Sequence, residues 1–258
     1  MIIAVILRLV PDPNGDLEIG EAGTAIDREW IDLVLNEFDD HALEEAVLLK
    51  EATGGRVVAL ALAGEGAERL LQTALARGAD EACRIDHGLG ETVSSRAAAA
   101  LFAAAVRELG AEVVMTGVQT SEDLFGQLAP YLGAILGWPH LSAVSGVSAD
   151  TGALTARQEQ SGGRLVAYRL TLPAVLGLQT ASQPPRYVSG TKLRQAAGLS
   201  LKTLVAGSEP LANPAEIVCL EQPVRRGGAR MLGGTPAEIA RGIVDLLGER
   251  SPAARQAP

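Results

Sequence analysis

The chain has 258 residues, of which 47% are hydrophobic and only 3% aromatic, and its formal net charge at pH 7 is −9. This length suits one large α/β domain, or one domain with an appended arm, with a core built mainly from Ala, Val and Leu. The excess of acidic residues argues against a surface that binds nucleic acid.

The cysteines and the N-terminal residues indicate a cytoplasmic protein. Cys83 and Cys219 lie far apart without the spacing of metal ligands, which predicts two buried free thiols in a reducing compartment. The first apolar run ends at Arg8 and Pro11, lacks the charged start and cleavage site of a signal peptide, and is too short to span a membrane. It therefore predicts a first β-strand, and we expect no direct insertion into a membrane.

Through residue 137, short apolar runs alternate with amphipathic patterns. The apolar runs predict strands at 2–10, 56–64, 81–86 and 111–117. Between and after them, helices are predicted at 37–55, 66–78, 91–110 and 124–137. In the first of these helices, an apolar stripe leaves Glu44, Glu45 and Glu51 on the polar side. Strands followed by helices of this length predict right-handed βαβ units, so the fold class is α/β, with a parallel sheet and helices on both faces.

After Trp138 the pattern changes. Residues 140–178 alternate between apolar and polar side chains, with turn signals at ADTG and SGG, which predicts antiparallel strands joined by hairpins. A loop leading into a short helix follows, and AEIVCL at 215–220 predicts a strand. In the tail, Thr235 and Glu238 form a capping box for a helix with Pro236 in its first turn, and residues 251–258 form a frayed end.

No group of residues predicts catalysis or a metal site. His41, His87 and His140 share no motif with Cys, Ser or carboxylate residues, and the sequences HExxH, GxSxG and CxxC do not occur. The SGGR sequence at 161–164 resembles a pyrophosphate loop, but a strand follows it where such a loop needs a helix, so we predict a hairpin turn. Because nothing assembles an acid, a base and a nucleophile, we expect no substrate turnover.

Two helix starts are the candidate ligand site. The sequence GVQTSEDLFGQLAP (117–130) joins a buried strand to a helix, which is where α/β proteins bind ligands, yet no Lys or Arg occurs between Arg107 and Arg157. At the start of the helix at 37–55, Asn36 is a good N-cap, and Asp39 three residues later can close a capping box. That spacing fits a helix that is merely well capped, and equally a helix whose free N–H groups face a ligand.

Four segments in order resemble the small (beta) subunit of electron transfer flavoproteins, a group that includes the A-type proteins associated with nitrogen fixation. They are LNEFDDHALEEAVLLKE, TALARGAD, GVQTSEDLFGQLAPYLGAILGWP and LPAVLGLQTASQPPRY, and the resemblance covers about residues 1–230. It implies a Rossmann-like fold of the adenine nucleotide alpha hydrolase type. It also implies a structural AMP, or FAD in electron-bifurcating members, and a 1:1 heterodimer with a larger alpha subunit that carries the redox FAD.

The resemblance also implies a function and a set of binding residues. Such heterodimers carry electrons from flavin dehydrogenases to a membrane quinone oxidoreductase or another acceptor, without substrate turnover of their own. The nucleotide phosphate lies against backbone N–H, hydroxyl and amide groups at a helix start, which need no cationic side chain. The implied cofactor-binding residues here are Ile6, Asn36, Glu37, Phe38, Asp39, Leu62, Gly117, Gln119, Thr120, Ser121, Glu122, Asp123, Gly126, Gln127 and Leu128.

Several positions depart from the family pattern. Glu37 replaces a proline and adds an anion beside the expected ligand, and Leu62 replaces a cysteine. In the loop, Glu122 replaces an aspartate, and Leu128 with Ala129 replaces Thr-Gly. These departures are compatible with a weakened AMP site, with a change to FAD, and with loss of the nucleotide.

The family's docking segment for partner dehydrogenases follows a Pro-Arg-Tyr sequence, which is present here as Pro185, Arg186 and Tyr187. Where the family carries an anchoring leucine, this chain has Gly190, which implies a different set of partners or an anchor shifted to Val188 or Leu193. We therefore predict a nucleotide-binding domain at 1–190, followed by a recognition loop and a C-terminal arm at 191–258 that packs on the alpha subunit.

Two other functions remain as alternatives. A stand-alone adenine-nucleotide-binding sensor with a related fold explains residues 1–140 equally well, but not the LPAVLGL and PPRY segments or the C-terminal arm. An enzyme that hydrolyses nucleotides lacks any basic or metal-binding constellation. Because Rossmann-like folds host many functions, the fold alone does not decide among them.

Overall fold

The centre of the molecule is a nine-stranded sheet with helices on both faces. The structure is a computed structural model, and it describes residues 1–29, 31–89, 93–123, 125–205, 217–223 and 231–250. The strands are β1 (Ile2–Ile6), β2 (Leu9–Pro11), β3 (Leu33–Leu35), β4 (Arg56–Leu62), β5 (Glu81–Asp86), β6 (Val113–Gly117), β7 (His140–Asp150), β8 (Ala153–Gln160), β9 (Arg164–Thr171), β10 (Ala174–Leu178) and β11 (Lys202–Val205). The helices are α1 (Glu37–Thr53), α2 (Ala67–Arg77), α3 (Ser95–Leu109), α4 (Leu128–Leu136), α5 (Gly190–Ala196) and α6 (Pro236–Arg250).

The large sheet has the strand order β11-β5-β4-β1-β6-β10-β7-β8-β9. Neighbours from β11 to β7 run parallel, whereas β8 and β9 add an antiparallel hairpin at one edge. Helices α1 and α2 cover one face, and α3 and α4 cover the other. The predicted α/β class with a mainly parallel sheet is therefore confirmed.

Small side chains allow the helices to pack closely on the sheet. On one face, Ala99 and Ala103 of α3 are buried beside Phe102, the largest fully buried side chain. The strands beneath are continuous apolar runs, and all five residues of β6 and of β10 are buried, as expected for strands covered on both faces. Burial of this apolar surface is the main stabilising term of the fold.

Three predicted strands differ from the observed ones. The run at 2–10 is two strands, β1 and β2, because the chain turns at Arg8 to bond Asp39, and β2 then pairs with β3 in a separate small sheet. Strand β10 was expected in an antiparallel hairpin, but it lies parallel between β6 and β7. Of the strand expected at 215–220, residues 217–220 are not in a strand, and residues 215 and 216 lie outside the described part of the chain.

Other predicted features are confirmed or corrected at single residues. The SGG sequence forms the turn between β8 and β9, and the capping box before α6 forms between Thr235 and Glu238. Cys83 is buried as predicted, whereas Cys219 is exposed. The frayed end expected at 251–258 lies outside the described residues. None of the helices in the described ranges has the length and apolar character needed to cross a membrane.

The chain divides into two compact units, Met1–Leu220 and Glu221–Pro258. Within the second unit, α6 carries exposed apolar side chains at Ile243, Val244 and Leu247. Their spacing places them along one side of the helix. The domain boundary predicted at residue 190 concerns packing against a partner and stays a prediction.

Two glutamates of α1 are buried, although the sequence pattern placed them on the polar side. Glu45 is 1% exposed and accepts hydrogen bonds from the backbone N–H groups of Val147 and Ser182 and from the Ser182 hydroxyl. Glu44 is 5% exposed and bonds Arg186. Carboxylates of α1 therefore bond backbone N–H groups of the segment after β10 beyond Thr180, whose own N–H still bonds Val144 of β7.

We predict that Glu45→Ala destabilises the protein by about 2–4 kcal/mol, because it leaves two backbone N–H groups without an acceptor. Glu45→Gln keeps an acceptor and costs less. The control is Glu68→Ala, which removes only a surface ion pair with Arg84 and changes stability by about 0.5 kcal/mol or less. Urea unfolding measures all three, and equal costs for Glu45→Ala and Glu68→Ala would contradict the assigned role.

Candidate functional site

The predicted site residues meet at the carboxyl ends of the central parallel strands. Strand β1 lies between β4 and β6, and the chain reaches β4 before it crosses back to β6, so the strand order reverses at β1. Ligands of open α/β sheets bind beside such a reversal. Ile6, Leu62 and Gly117 end β1, β4 and β6, and α1 begins beside them at Glu37.

The buried carboxylate of Asp39 joins three segments at this point. It is 0% exposed and accepts hydrogen bonds from the Arg8 backbone N–H at 3.0 Å, from Arg8 Nε at 2.9 Å and from Arg8 Nη2 at 2.8 Å. It also accepts one from the Gly117 N–H at 2.6 Å. A Cβ at Gly117 would lie 2.6 Å from Asp39 Oδ1, so this close approach requires glycine.

Arg8 supplies a positive charge that the sequence around the loop lacks. Its Nη2 donates to the Gly117 carbonyl at 3.1 Å, and its Nη1 lies 3.9 Å from Asp123 Oδ2. A second cation, Arg28, pairs with Glu122 at the rim. Sequence reasoning missed both arginines, although Arg8 is the one charged residue of the apolar run at 2–10 and that isolation was a usable signal.

The loop from Gly117 to α4 is held by one bond from Asn36 and by hydrogen bonds among its own polar groups. Asn36 Nδ2 donates to the Gln119 carbonyl at 3.0 Å, and the Asp123 N–H donates to Thr120 Oγ1 at 2.9 Å. The Asp123 carboxylate in turn accepts from the N–H groups of Gln127 and Leu128. Asp123 thus caps α4 from outside the helix, whereas Ser121 is exposed.

The predicted capping box at α1 is wrong. The Asn36 side chain makes no cap bond and bonds the loop instead, while its N–H donates to the Arg8 carbonyl. Asp39 is turned away from the Asn36 N–H because Arg8 and Gly117 occupy its carboxylate. The start of α1 is therefore built around tertiary contacts rather than around a local cap.

The remaining predicted site residues lie at the surface of the candidate site or are half-buried beside it. Glu37, Gln119, Ser121, Glu122 and Gln127 are exposed, whereas Phe38 and Gly126 are half-buried. Gly126 has φ 60°, and a Cβ there would lie 2.5 Å from the Val118 carbonyl oxygen, so the turn before α4 requires glycine. All the predicted cofactor-binding residues thus belong to one edge of the sheet or to the loops that follow it.

The predicted docking residues lie on a separate part of the surface. Arg186 bonds Glu44 and Glu51, and its pKa is raised, first by the Glu51 hydrogen bond and then by Glu44. The hydrogen bond from Arg186 lowers the pKa of Glu51, so the stabilisation is present above the ordinary value of 4.5 and is lost as the pH falls through the lowered pKa. The segment therefore stays anchored at neutral pH, and it presents Tyr187, which is 92% exposed.

Comparison with protein families identifies the family to which this chain belongs. A family model described as an electron transfer flavoprotein domain matches residues 24–210. The chain belongs to the electron transfer flavoprotein family. The resemblance drawn from four sequence segments is thereby confirmed, and the family matched is one of electron transport and of flavoproteins.

Curated relatives from this family match over most of the chain. An electron transfer flavoprotein subunit beta from Methylophilus methylotrophus is 29% identical over 96% of this chain and 98% of its own length. A protein of the same name from Bacillus subtilis (strain 168) is 29% identical over 85% of this chain and 86% of its own. A protein of the same name from Syntrophomonas wolfei is 30% identical over 67% of this chain and 66% of its own length. A name that specifies one subunit implies a partner subunit.

The electron transfer flavoprotein family implies a flavin or nucleotide, and the site fits one in part. Exposed amide and hydroxyl groups of Gln119, Ser121 and Gln127 are suitable donors, and Arg8 adds a fixed positive charge. Two N–H groups at the start of α4 already bond Asp123, so a phosphate reaches them only after that carboxylate moves. Within the described ranges, no three His, Cys, Asp or Glu residues are arranged to hold a metal ion.

We predict that Arg8 and Asp39 depend strongly on each other. Asp39→Asn should cost about 3–5 kcal/mol, because it leaves the guanidinium of Arg8 without its counter-charge in a largely buried position. In a double-mutant cycle with Arg8→Met, the coupling energy should be about 1–3 kcal/mol.

The matched control for this cycle is the surface pair of Arg56 and Glu81, for which a coupling of about 1 kcal/mol or less is expected. Chemical unfolding of the four proteins in each cycle gives both values. Equal coupling in the two cycles would show that the buried pair does not organise the site.

Proposed function

We propose that this chain is the small subunit of a heterodimeric electron transfer flavoprotein. The heterodimer carries electrons from flavin dehydrogenases to a quinone oxidoreductase or another acceptor. The observation that carries the proposal is the family match over residues 24–210, together with a relative named subunit beta of which 98% aligns with this chain. The FAD that performs the redox chemistry is held by the partner alpha subunit, and this chain itself turns over no substrate.

We further propose that this subunit holds AMP, or FAD, as a structural nucleotide. Its binding residues are those at the sheet edge, with Gln119, Ser121 and Gln127 offering side-chain donors from the loop before α4. The half-buried Phe38 supplies an apolar surface, the buried Ile6 supports the site from the core, and the start of α1 adds its N-terminal partial charge. In this role the nucleotide binds, orders the loops and stabilises the fold, because it is bound by the folded state alone.

The C-terminal residues are proposed to pack on the alpha subunit. Support comes from α6, whose apolar side chains Ile243, Val244 and Leu247 are exposed within its own unit, as is Met231 before it. A helix with an uncovered apolar side is typical of a segment that is buried in an assembly. Docking of dehydrogenases is assigned to the segment that includes Pro185, Tyr187 and Gly190.

We expect the full chain, co-expressed with an alpha subunit from the same organism, to purify as a 1:1 heterodimer that contains FAD. Its interface should exceed the roughly 1,600 Å² of a standard complex, because an extended arm contributes to it. Size-exclusion chromatography with light scattering and the flavin absorbance of the peak measure both. A stable monomer that ignores the alpha subunit yet binds adenine nucleotide would support the stand-alone sensor instead.

We predict that Gly190→Leu speeds flavin reduction by an acyl-CoA dehydrogenase. No atom lies within 4 Å of a Cβ built at Gly190, so the side chain is accommodated and can supply an apolar anchor, with about 1.5–3 kcal/mol available from its burial.

The control is Gly198→Leu, at an exposed glycine just beyond α5. The measurement is the rate of flavin reduction in each heterodimer as a function of dehydrogenase concentration. Fast reduction of the unmodified protein would show that the anchor lies at another residue.

A further inference from the structure

The start of α4 already carries an anion that belongs to the chain. Asp123 is 9% exposed, and its Oδ2 accepts hydrogen bonds from the N–H groups of Gln127 at 3.0 Å and Leu128 at 3.3 Å. Its own N–H is held by Thr120 Oγ1. The carboxylate therefore occupies the free donors of the helix N-terminus, where the partial positive charge of a helix is concentrated.

A fixed cation faces the same position from the other side. Arg8 Nη1 lies 3.9 Å from Asp123 Oδ2, while the rest of its guanidinium is bound to Asp39 and to the Gly117 carbonyl. Because Asp39 is itself held by the Gly117 N–H, Arg8 cannot turn away when the neighbouring anion changes. The charge of Arg8 is already balanced by Asp39, so the N–H groups at the start of α4 are what hold one anion here, and Asp123 occupies that position.

A phosphate group and the Asp123 carboxylate cannot both use these donors. Two anions at one helix start repel each other, and like charges placed together cost several kcal/mol in a desolvated interface. An incoming phosphate must therefore displace the carboxylate into solvent before it bonds the N–H groups of Gln127 and Leu128.

We propose that Asp123 is an internal competitor of the nucleotide phosphate, and that this residue determines how strongly the subunit retains a phosphate-bearing ligand. The proposal rests on the assignment of a nucleotide to this site. It requires that the helix start contribute little to phosphate affinity in the unmodified chain, because each bond of the phosphate to these backbone N–H groups replaces an existing bond to Asp123. AMP and adenosine should then bind with similar affinity.

Two substitutions separate the charge of Asp123 from its capping role. Asp123→Asn keeps an oxygen that accepts from the helix start and removes the negative charge, whereas Asp123→Ala removes both. Glu68→Gln is the matched control, because it neutralises an exposed carboxylate in the first turn of another helix, α2, where Glu68 pairs with Arg84 and is not one of the predicted nucleotide-binding residues.

The experiment is isothermal titration of AMP and of adenosine into the full chain in its complex with the alpha subunit, after exchange into nucleotide-free buffer. We expect Asp123→Asn and Asp123→Ala to raise AMP affinity by about tenfold or more, which corresponds to about 1.4 kcal/mol. Adenosine affinity should change less than about twofold in both, and Glu68→Gln should change the affinity of neither ligand by more than that. Thermal melting of each variant verifies that it is folded.

Other outcomes overturn the proposal in distinguishable ways. If Asp123→Asn and Asp123→Ala weaken AMP binding, Asp123 is a ligand of the nucleotide and not its competitor, while the nucleotide site itself stands. If folded variants and the unmodified chain bind neither AMP nor adenosine, both this proposal and the nucleotide assignment fail. The heterodimer and its flavin are measured separately, so the electron-carrier function survives either result.

Discussion

A single buried carboxylate organises the functional edge of this protein. Asp39 receives four hydrogen bonds from Arg8 and Gly117, residues that lie 31 positions before it and 78 positions after it in the chain. A fully buried carboxylate is tolerated because those donors replace its water. Since Arg8 ends the contribution of β1 to the large sheet and Gly117 ends β6, the bonds to Asp39 fix where two central strands stop and where α1 begins.

Helix α1 extends this organisation to the second functional region. Its start holds the loop after β6 through Asn36 and Asp39, and its middle holds the segment before Tyr187 through Glu44 and Glu45. Both regions thus depend on the position of one rigid element. A displacement of α1 would shift the hydrogen-bonding partners of both regions. A ligand bound at one region could therefore change contacts at the other through α1 alone.

The sequence predicts the elements of this fold far better than its contacts. Hydrophobic periodicity locates α1, α2 and α3 to within a few residues, and the turn sequence SGG locates a hairpin, because these patterns depend on neighbours in the chain. The family resemblance adds which loops form the site. Neither gives the role of Arg8 or the burial of Glu45, because each depends on a partner brought close only by the folded sheet. Asn36 and Asp39 illustrate the reason: a local capping box was available, and tertiary donors outcompeted it.

The break between β1 and β2 has a consequence for how the site can diversify. The chain leaves the large sheet after β1, and Arg8 and Asn36, just before α1, are joined by the bond from the Asn36 N–H to the Arg8 carbonyl and by the pairing of β2 with β3. The chain between β2 and β3 is therefore a loop whose two ends are held together by these hydrogen bonds, whatever the length of the loop. Doubling such a loop adds only about 0.6 kcal/mol of closure entropy. Insertions and deletions here can reshape the rim beside Glu122, where Arg28 reaches, while the sheet and the buried Arg8–Asp39 pair stay unchanged.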